Sequence, residues 1–195
     1  MICYTIGSTP LQSKEPGLAN KKISRVDAVE RFLGATTTLL CSKTPAELTL
    51  ADIAEQADVS QHYIYRFFGT RLDLLIEVSD LLAFQANEAL QREILSKELH
   101  FTQLVELCRS VCAQRIHLLQ YLASQGVPES RFQDGNRKIY TCISQYFKNS
   151  GVLPARALSN GVVLLAFIHA EISLLPTLDL QSAELADLFA LLDAG

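Results

Sequence analysis

From Lys21 onward the apolar positions recur at three- and four-residue intervals, as in amphipathic α-helices. No stretch alternates with the period of two that marks a half-buried strand. Val26, Val29, Phe32, Leu33 and Leu40 predict a first helix over about 22–41, broken at Pro45 in SKTPAEL. TLADIAEQA follows. Thr49 is placed to cap a second helix, with Asp52 three residues on as its capping-box partner. Leu50, Ile53, Ala54 and Ala57 share one face of that helix. DVS interrupts it, and a further short helix is expected over about 60–67. Thr70 and Asp73 repeat the capping signal and open a long helix reaching roughly Glu98. Further periodic segments lie near 101–124, 129–149, 154–175 and 180–193, with Pro128 and Pro154 at first turns and Gly126, Gly151 and Pro176 at breaks. Residues 1–20, with Gly7, Pro10, Pro16 and Gly17, read as a flexible arm. The expectation is an all-α protein: an arm over 1–20, a three-helix helix-turn-helix domain over 21–69 and a larger helical domain over 70–195.

The stretch ADVSQHYIYRFF divides its side chains sharply. With Ile64 at the centre of the buried face, a rotation of 100° per residue puts Ser60, Phe67 and Phe68 within about 60° of it. His62 and Arg66 point nearly opposite, and Tyr63 and Tyr65 lie on the flanks. Val59, Ile64 and Phe68 are expected to meet Leu50, Ile53 and Ala54 of the preceding helix, where small Ala54 lets the two helices approach. Asp58 falls at the turn, where a positive φ is expected and aspartate is tolerated better than most residues. A recognition helix needs this division, with one side packed and the other offering donors and rings to base edges and phosphates.

Charge adds a mild bias. The chain of 195 residues carries a net charge of −4. Residues 1–71 hold eight lysines and arginines against seven carboxylates, whereas residues 72–195 hold nine against fourteen. The N-terminal third therefore repels a polyanion least. The five cysteines, Cys3, Cys41, Cys108, Cys112 and Cys142, form no C-x-x-C pair, and MICYTIGSTP has neither a basic region nor a continuous apolar run. These features read as a reduced cytoplasmic protein. The run GVVLLAFI (161–168) is too short, and too soon followed by His169 and Glu171, to be expected to span a membrane. No nucleophile elbow, phosphate loop, paired-carboxylate motif or metal signature is present, so neither an enzyme nor a cofactor is expected.

Residues 48–75, LTLADIAEQADVSQHYIYRFFGTRLDLL, closely resemble the DNA-binding signature of TetR-family transcriptional regulators. Thr49, Ile53, Ala54, Ala57, Val59, Ser60, Ile64, Tyr65, Phe68 and Leu74 stand at the matching places. The remainder of the chain matches only in being helical. The resemblance implies that Tyr65 bonds a DNA phosphate and that Thr49 both caps its helix and touches the backbone. It further implies that Arg71, in place of the usual lysine, brings a cation to the backbone at the start of the fourth helix, beside Thr70. Ser60, Gln61, His62 and Tyr63 would occupy the sequence-reading part, with Gln61 suited to adenine and His62 to guanine by analogy. Outward-facing Arg66 completes the expected contact set. Asp58 replaces the family's glycine, and Phe67 replaces a common polar aromatic.

The resemblance also implies a double-stranded DNA operator of palindromic form, a homodimer formed through the last two long helices, and a small-molecule effector whose entry releases a repressor from DNA. Phe84, His117, Tyr121, Phe132, Tyr140 and Phe147 are candidates to line the effector site, although each one taken singly reads better as an ordinary core ring. Cys108 and Cys112, one turn apart, read as buried free thiols, and His169 with Glu171 as a satisfied buried pair. A second reading remains open on the same residues: a helical interaction protein that keeps the fold without reading DNA.

Overall fold

The computed structural model describes residues 23–96 and 99–174. The elements are α1 (Arg25–Leu39), α2 (Leu50–Ala57), α3 (His62–Phe67), α4 (Arg71–Ser96), α5 (Phe101–Ser124), a 3₁₀ turn (Glu129–Phe132), α6 (Gln133–Asn149) and α7 (Pro154–Leu174). Among the described residues there is no strand. The N-terminal arm and the helix expected over 180–193 lie outside the described residues.

Local chemistry accounts for most boundaries. Ser24 caps α1, its Oγ accepting the Asp27 N–H at 3.1 Å. The helix expected over 129–149 starts as a 3₁₀ turn because Pro128 is extended (φ −70°, ψ 143°) and its carbonyl accepts Arg131 N–H at 3.0 Å, a three-residue closure. α6 continues from there.

The chain divides into two compact units between Leu75 and Ile76. In the first, α1 packs on α2 and α3 around Phe32, Leu48, Ile53 and Ile64, all essentially inaccessible to solvent. In the second, Leu90, Leu104, Cys108, Ile116, Ile143, Leu164 and Ile168 belong to one buried cluster.

α7 lies on α6 and α5. A Cβ at Gly161 would stand 2.6 Å from the Tyr140 carbonyl oxygen and 3.1 Å from Ser144 N, both in the backbone of α6. Backbone atoms cannot swing aside, so Gly161→Ala must push the helices apart. We expect a loss of about 1–3 kcal/mol, the usual cost of overpacking. A urea melt of the variant checks this, and an unchanged midpoint would mean that α6 and α7 sit farther apart.

One face of α7 packs inward through Ala157, Asn160, Leu164 and Ile168. The opposite face leaves Leu158, Val162 and Val163 43–45% exposed. Over Pro154–Ser173 the helix is long and apolar enough to cross a membrane by length and composition, which the eight-residue run inside it did not suggest. Its Glu171 is nevertheless engaged within the protein, 2.9 Å from Arg109 Nη2 of α5.

Candidate nucleic-acid interface

The first turn of α2 is closed by a reciprocal capping box. Thr49 Oγ1 accepts the Asp52 N–H, and Asp52 Oδ2 accepts both the Thr49 N–H and the Thr49 hydroxyl, the latter at 2.8 Å. Lys43 Nζ adds an ion pair to Asp52 Oδ1 at 3.0 Å. The Thr49 hydroxyl, with Lys43 beside it, holds the Asp52 carboxyl down at about 2. Thr49 therefore spends its hydroxyl proton inside the box. What it still offers an external phosphate is position at the helix start.

α2 ends at Asp58, whose φ of 51° and ψ of 44° place it in the left-handed region. Among the described residues it is the one non-glycine with positive φ. Its N–H returns to the Glu55 carbonyl and that of Val59 to the Ala54 carbonyl, each at 3.1 Å. This reversal sends the chain into α3.

α3 starts at His62, so Ser60 and Gln61 belong to the turn before it. Ser60 is accordingly exposed rather than on the buried face. Ile64 is fully buried, while His62, Tyr65 and Arg66 are exposed, Tyr65 to 54%. Gln61 and Tyr63 are half-buried. Phe68 packs edge-on against Phe32, their centroids 6.2 Å apart.

Phe67 departs from the expectation that it joins the core. It is only half-buried, and Tyr63 stacks on it at 5.4 Å and 23°. Ile64 and Phe68 fill the space beneath the helix, which turns Phe67 to the side. The guanidinium groups of Arg66 and Arg25 each lie 5.9 Å from its ring centroid. Arg25, at the N-terminus of α1, is thus brought beside Tyr63 and Arg66, a member of this surface that linear spacing does not reveal. Together with Ile23 these residues line a small, largely polar depression.

Thr70 and Asp73 repeat the box at the start of α4, with Thr70 N donating to Asp73 Oδ2 at 3.0 Å and Asp73 N to Thr70 Oγ1 at 3.1 Å. Arg71 is half-buried and its Nη2 donates to the Pro45 carbonyl. That bond ties the loop after α1 to the first turn of α4, so Arg71 serves the scaffold as well as offering charge.

The six candidates of the second unit do not converge. Phe84 is 58% exposed and His117 is exposed, Tyr121 and Tyr140 are half-buried, and Phe132 and Phe147 are buried. Phe147 packs against Phe101 and Tyr146 at 6.1 and 5.4 Å. None of the six lines the groove of about 420 Å³ that runs between α4 and α6. Burial pushes the thiols of Cys112 and Cys142 up to about 12 and about 11 and raises that of Cys108 well above the ordinary thiol value, so all three are protonated at neutral pH.

Residues 32–78 match the family model of bacterial regulatory proteins, tetR family. No curated protein matches the chain. Among solved structures, the chain is similar to a putative transcriptional regulator from Rhodococcus sp. RHA1 (14% identity, 85% of this chain and 95% of that one, TM-score 0.64). It is likewise similar to a TetR-family transcriptional regulator from Pectobacterium atrosepticum (18% identity, 90% and 95%, TM-score 0.60). A third similar structure is the TetR family repressor AlkX from Dietzia sp. strain DQ12-45-1b (14% identity, 90% and 96%, TM-score 0.55). At such identities these structures show a shared fold. The matched segment runs from Phe32 of α1 to Val78 of α4 and so contains the capped turn and the divided helix described above; this segment is a TetR-family helix-turn-helix domain, that of a DNA-binding transcriptional regulator.

Proposed function

We propose that two copies of this chain bind a palindromic operator as a cytoplasmic repressor and release it when a small molecule enters the second unit. The carrying observation is the split of α3, where Ile64 is wholly buried and His62, Tyr65 and Arg66 stand out on the other side of a helix six residues long. So short a helix contacts few base pairs, and a second copy about one helical turn away supplies the missing specificity. The exposed apolar stripe of Leu158, Val162 and Val163 on α7 supports pairing of the copies, since such a stripe is better covered than wet. α4 supports the release step: it starts at the Thr70–Asp73 box and runs on to Ser96 in the second unit, so a shift of this helix carries the recognition helix with it.

Selection from a random double-stranded library tests the reading. The expected product is an inverted repeat whose half-sites lie about 10 base pairs, or a multiple of that, apart. No enrichment at low salt would refute DNA reading, and enrichment of a single unpaired half-site would refute the dimer.

A further inference from the structure

Two cations meet over one ring at the edge of α3. Arg66, in the last turn of that helix, and Arg25, the first residue of α1, each hold their guanidinium carbon 5.9 Å from the Phe67 centroid. Both side chains are exposed, and neither makes an ion pair or a hydrogen bond among the described residues. Elsewhere arginines are neutralised, Arg109 by Glu171, Arg131 by Asp80 and Arg137 by Asp134. Like charges gathered on one ring repel each other, and an exposed ring attracts each of them only weakly. An anion between them relieves the repulsion.

The place for that anion is present. Arg25 and Arg66 line a largely polar depression of about 310 Å³ together with Ile23, Tyr63 and Phe67. Its aromatic wall is held in place, because Tyr63 stacks on Phe67 at 5.4 Å and 23°. The depression adjoins the helix whose exposed side carries His62 and Tyr65, and α1 belongs to the same compact unit. A recognition helix in the major groove is flanked by the phosphates of the groove's edges, and these take about half or more of all hydrogen bonds between protein and DNA.

We infer that Arg25 and Arg66 together clamp a single backbone phosphate of duplex DNA at the Phe67–Tyr63 wall. Each guanidinium donates to a non-bridging oxygen of that phosphate, a charge-assisted contact. Phe67 has no donor of its own, and its part is to position the two forks. Arg25 thereby brings α1 onto the DNA and helps to set how α3 enters the groove. The inference rests on the reading of the chain as a DNA-binding protein.

Fluorescence anisotropy of the full chain on the selected operator and on a scrambled duplex, over a range of salt, tests the clamp. Arg25→Ala should weaken both duplexes alike, by about tenfold or more. It should also lower the slope of log affinity against log salt by about two for the dimer, one phosphate per subunit. Combining it with Arg66→Ala should lower the slope no further, because the slope counts phosphates and the two arginines share one. Phe67→Leu keeps both charges and should still weaken binding several-fold. Arg25 is exposed, so its variant folds, and circular dichroism checks the others. An unchanged slope in Arg25→Ala, a double-variant loss about twice that of either single one, or full affinity in Phe67→Leu would each overturn the clamp. Inorganic phosphate at matched ionic strength should displace the duplex no better than chloride; displacement by far less phosphate than chloride would make this a free-anion site instead. Wild-type protein that binds neither duplex at low salt would overturn DNA reading itself, whereas wild-type binding matched by Arg25→Ala would overturn the clamp alone.

Discussion

Phe32→Ala is expected to destabilise the helix-turn-helix unit by about 3–5 kcal/mol, the largest effect of any single substitution proposed for this protein. Phe32 is 0% exposed, and its ring meets the edge of Phe68 at 78°. Truncation removes most of the ring's burial and leaves a cavity between α1 and α3. Loss of the edge-to-face pair adds about 0.5–1.5 kcal/mol to what area alone explains. Whole domains are stable by only about 5–15 kcal/mol, so the variant unit should sample unfolded states readily at growth temperature. Hydrogen exchange resolved along the chain is the suitable measurement. Amides of α1, α2 and α3 should lose protection by several orders of magnitude, and those of α5 and α6 far less. Uniform loss of protection across both units would show that they unfold as one, and no loss would show that α1 and α3 are not held together through this ring.

His62→Ala and Arg66→Ala should both weaken operator binding, but in distinguishable ways. Both side chains are exposed on α3, and neither takes part in its buried contacts. If His62 reads a base edge, its removal costs about 1–3 kcal/mol per half-site and so on the order of a hundredfold or more across a dimer. The loss should be confined to the preferred sequence, with binding to unrelated DNA unchanged. If Arg66 meets a phosphate, its removal weakens all sequences alike and lowers the slope of log affinity against log salt by about two for the dimer, roughly one per subunit. Arg66 also lies over Phe67 and is thereby held in place, which favours a fixed contact over a diffuse one. Fluorescence anisotropy with specific and scrambled duplexes over a range of salt separates the cases. Equal loss on both duplexes for His62→Ala, or an unchanged salt slope for Arg66→Ala, would reassign those roles.

The helix-turn-helix was legible residue by residue where its determinants are local. The boxes at Thr49 with Asp52 and at Thr70 with Asp73 close within four residues, and both form. The left-handed turn at Asp58 was readable from its place between two apolar-periodic segments. Ile64 as the buried centre followed from the period of the helix. The same rotation misplaced Phe67, because an angle about one axis cannot tell which of two neighbouring apolar residues the packing partner leaves room for. Ser60 was misplaced because α3 starts two residues later than its polar pattern suggested.

The amino-acid order alone therefore determined the helices, their caps, the turn and the division of α3 into a packed and an outward side, all of which arise from residues within about one turn of each other. Tertiary structure alone decided that Arg25 reaches Phe67, that Arg71 holds the Pro45 carbonyl 26 residues away, and that Arg115 is enclosed with Ser79 and Asn136. The physical reason is one of range. A capping bond or a helical face repeats with a short period and is written along the chain, whereas a guanidinium has several polar partners within reach of its flexible stem, and only the close packing of helices distant in sequence selects among them.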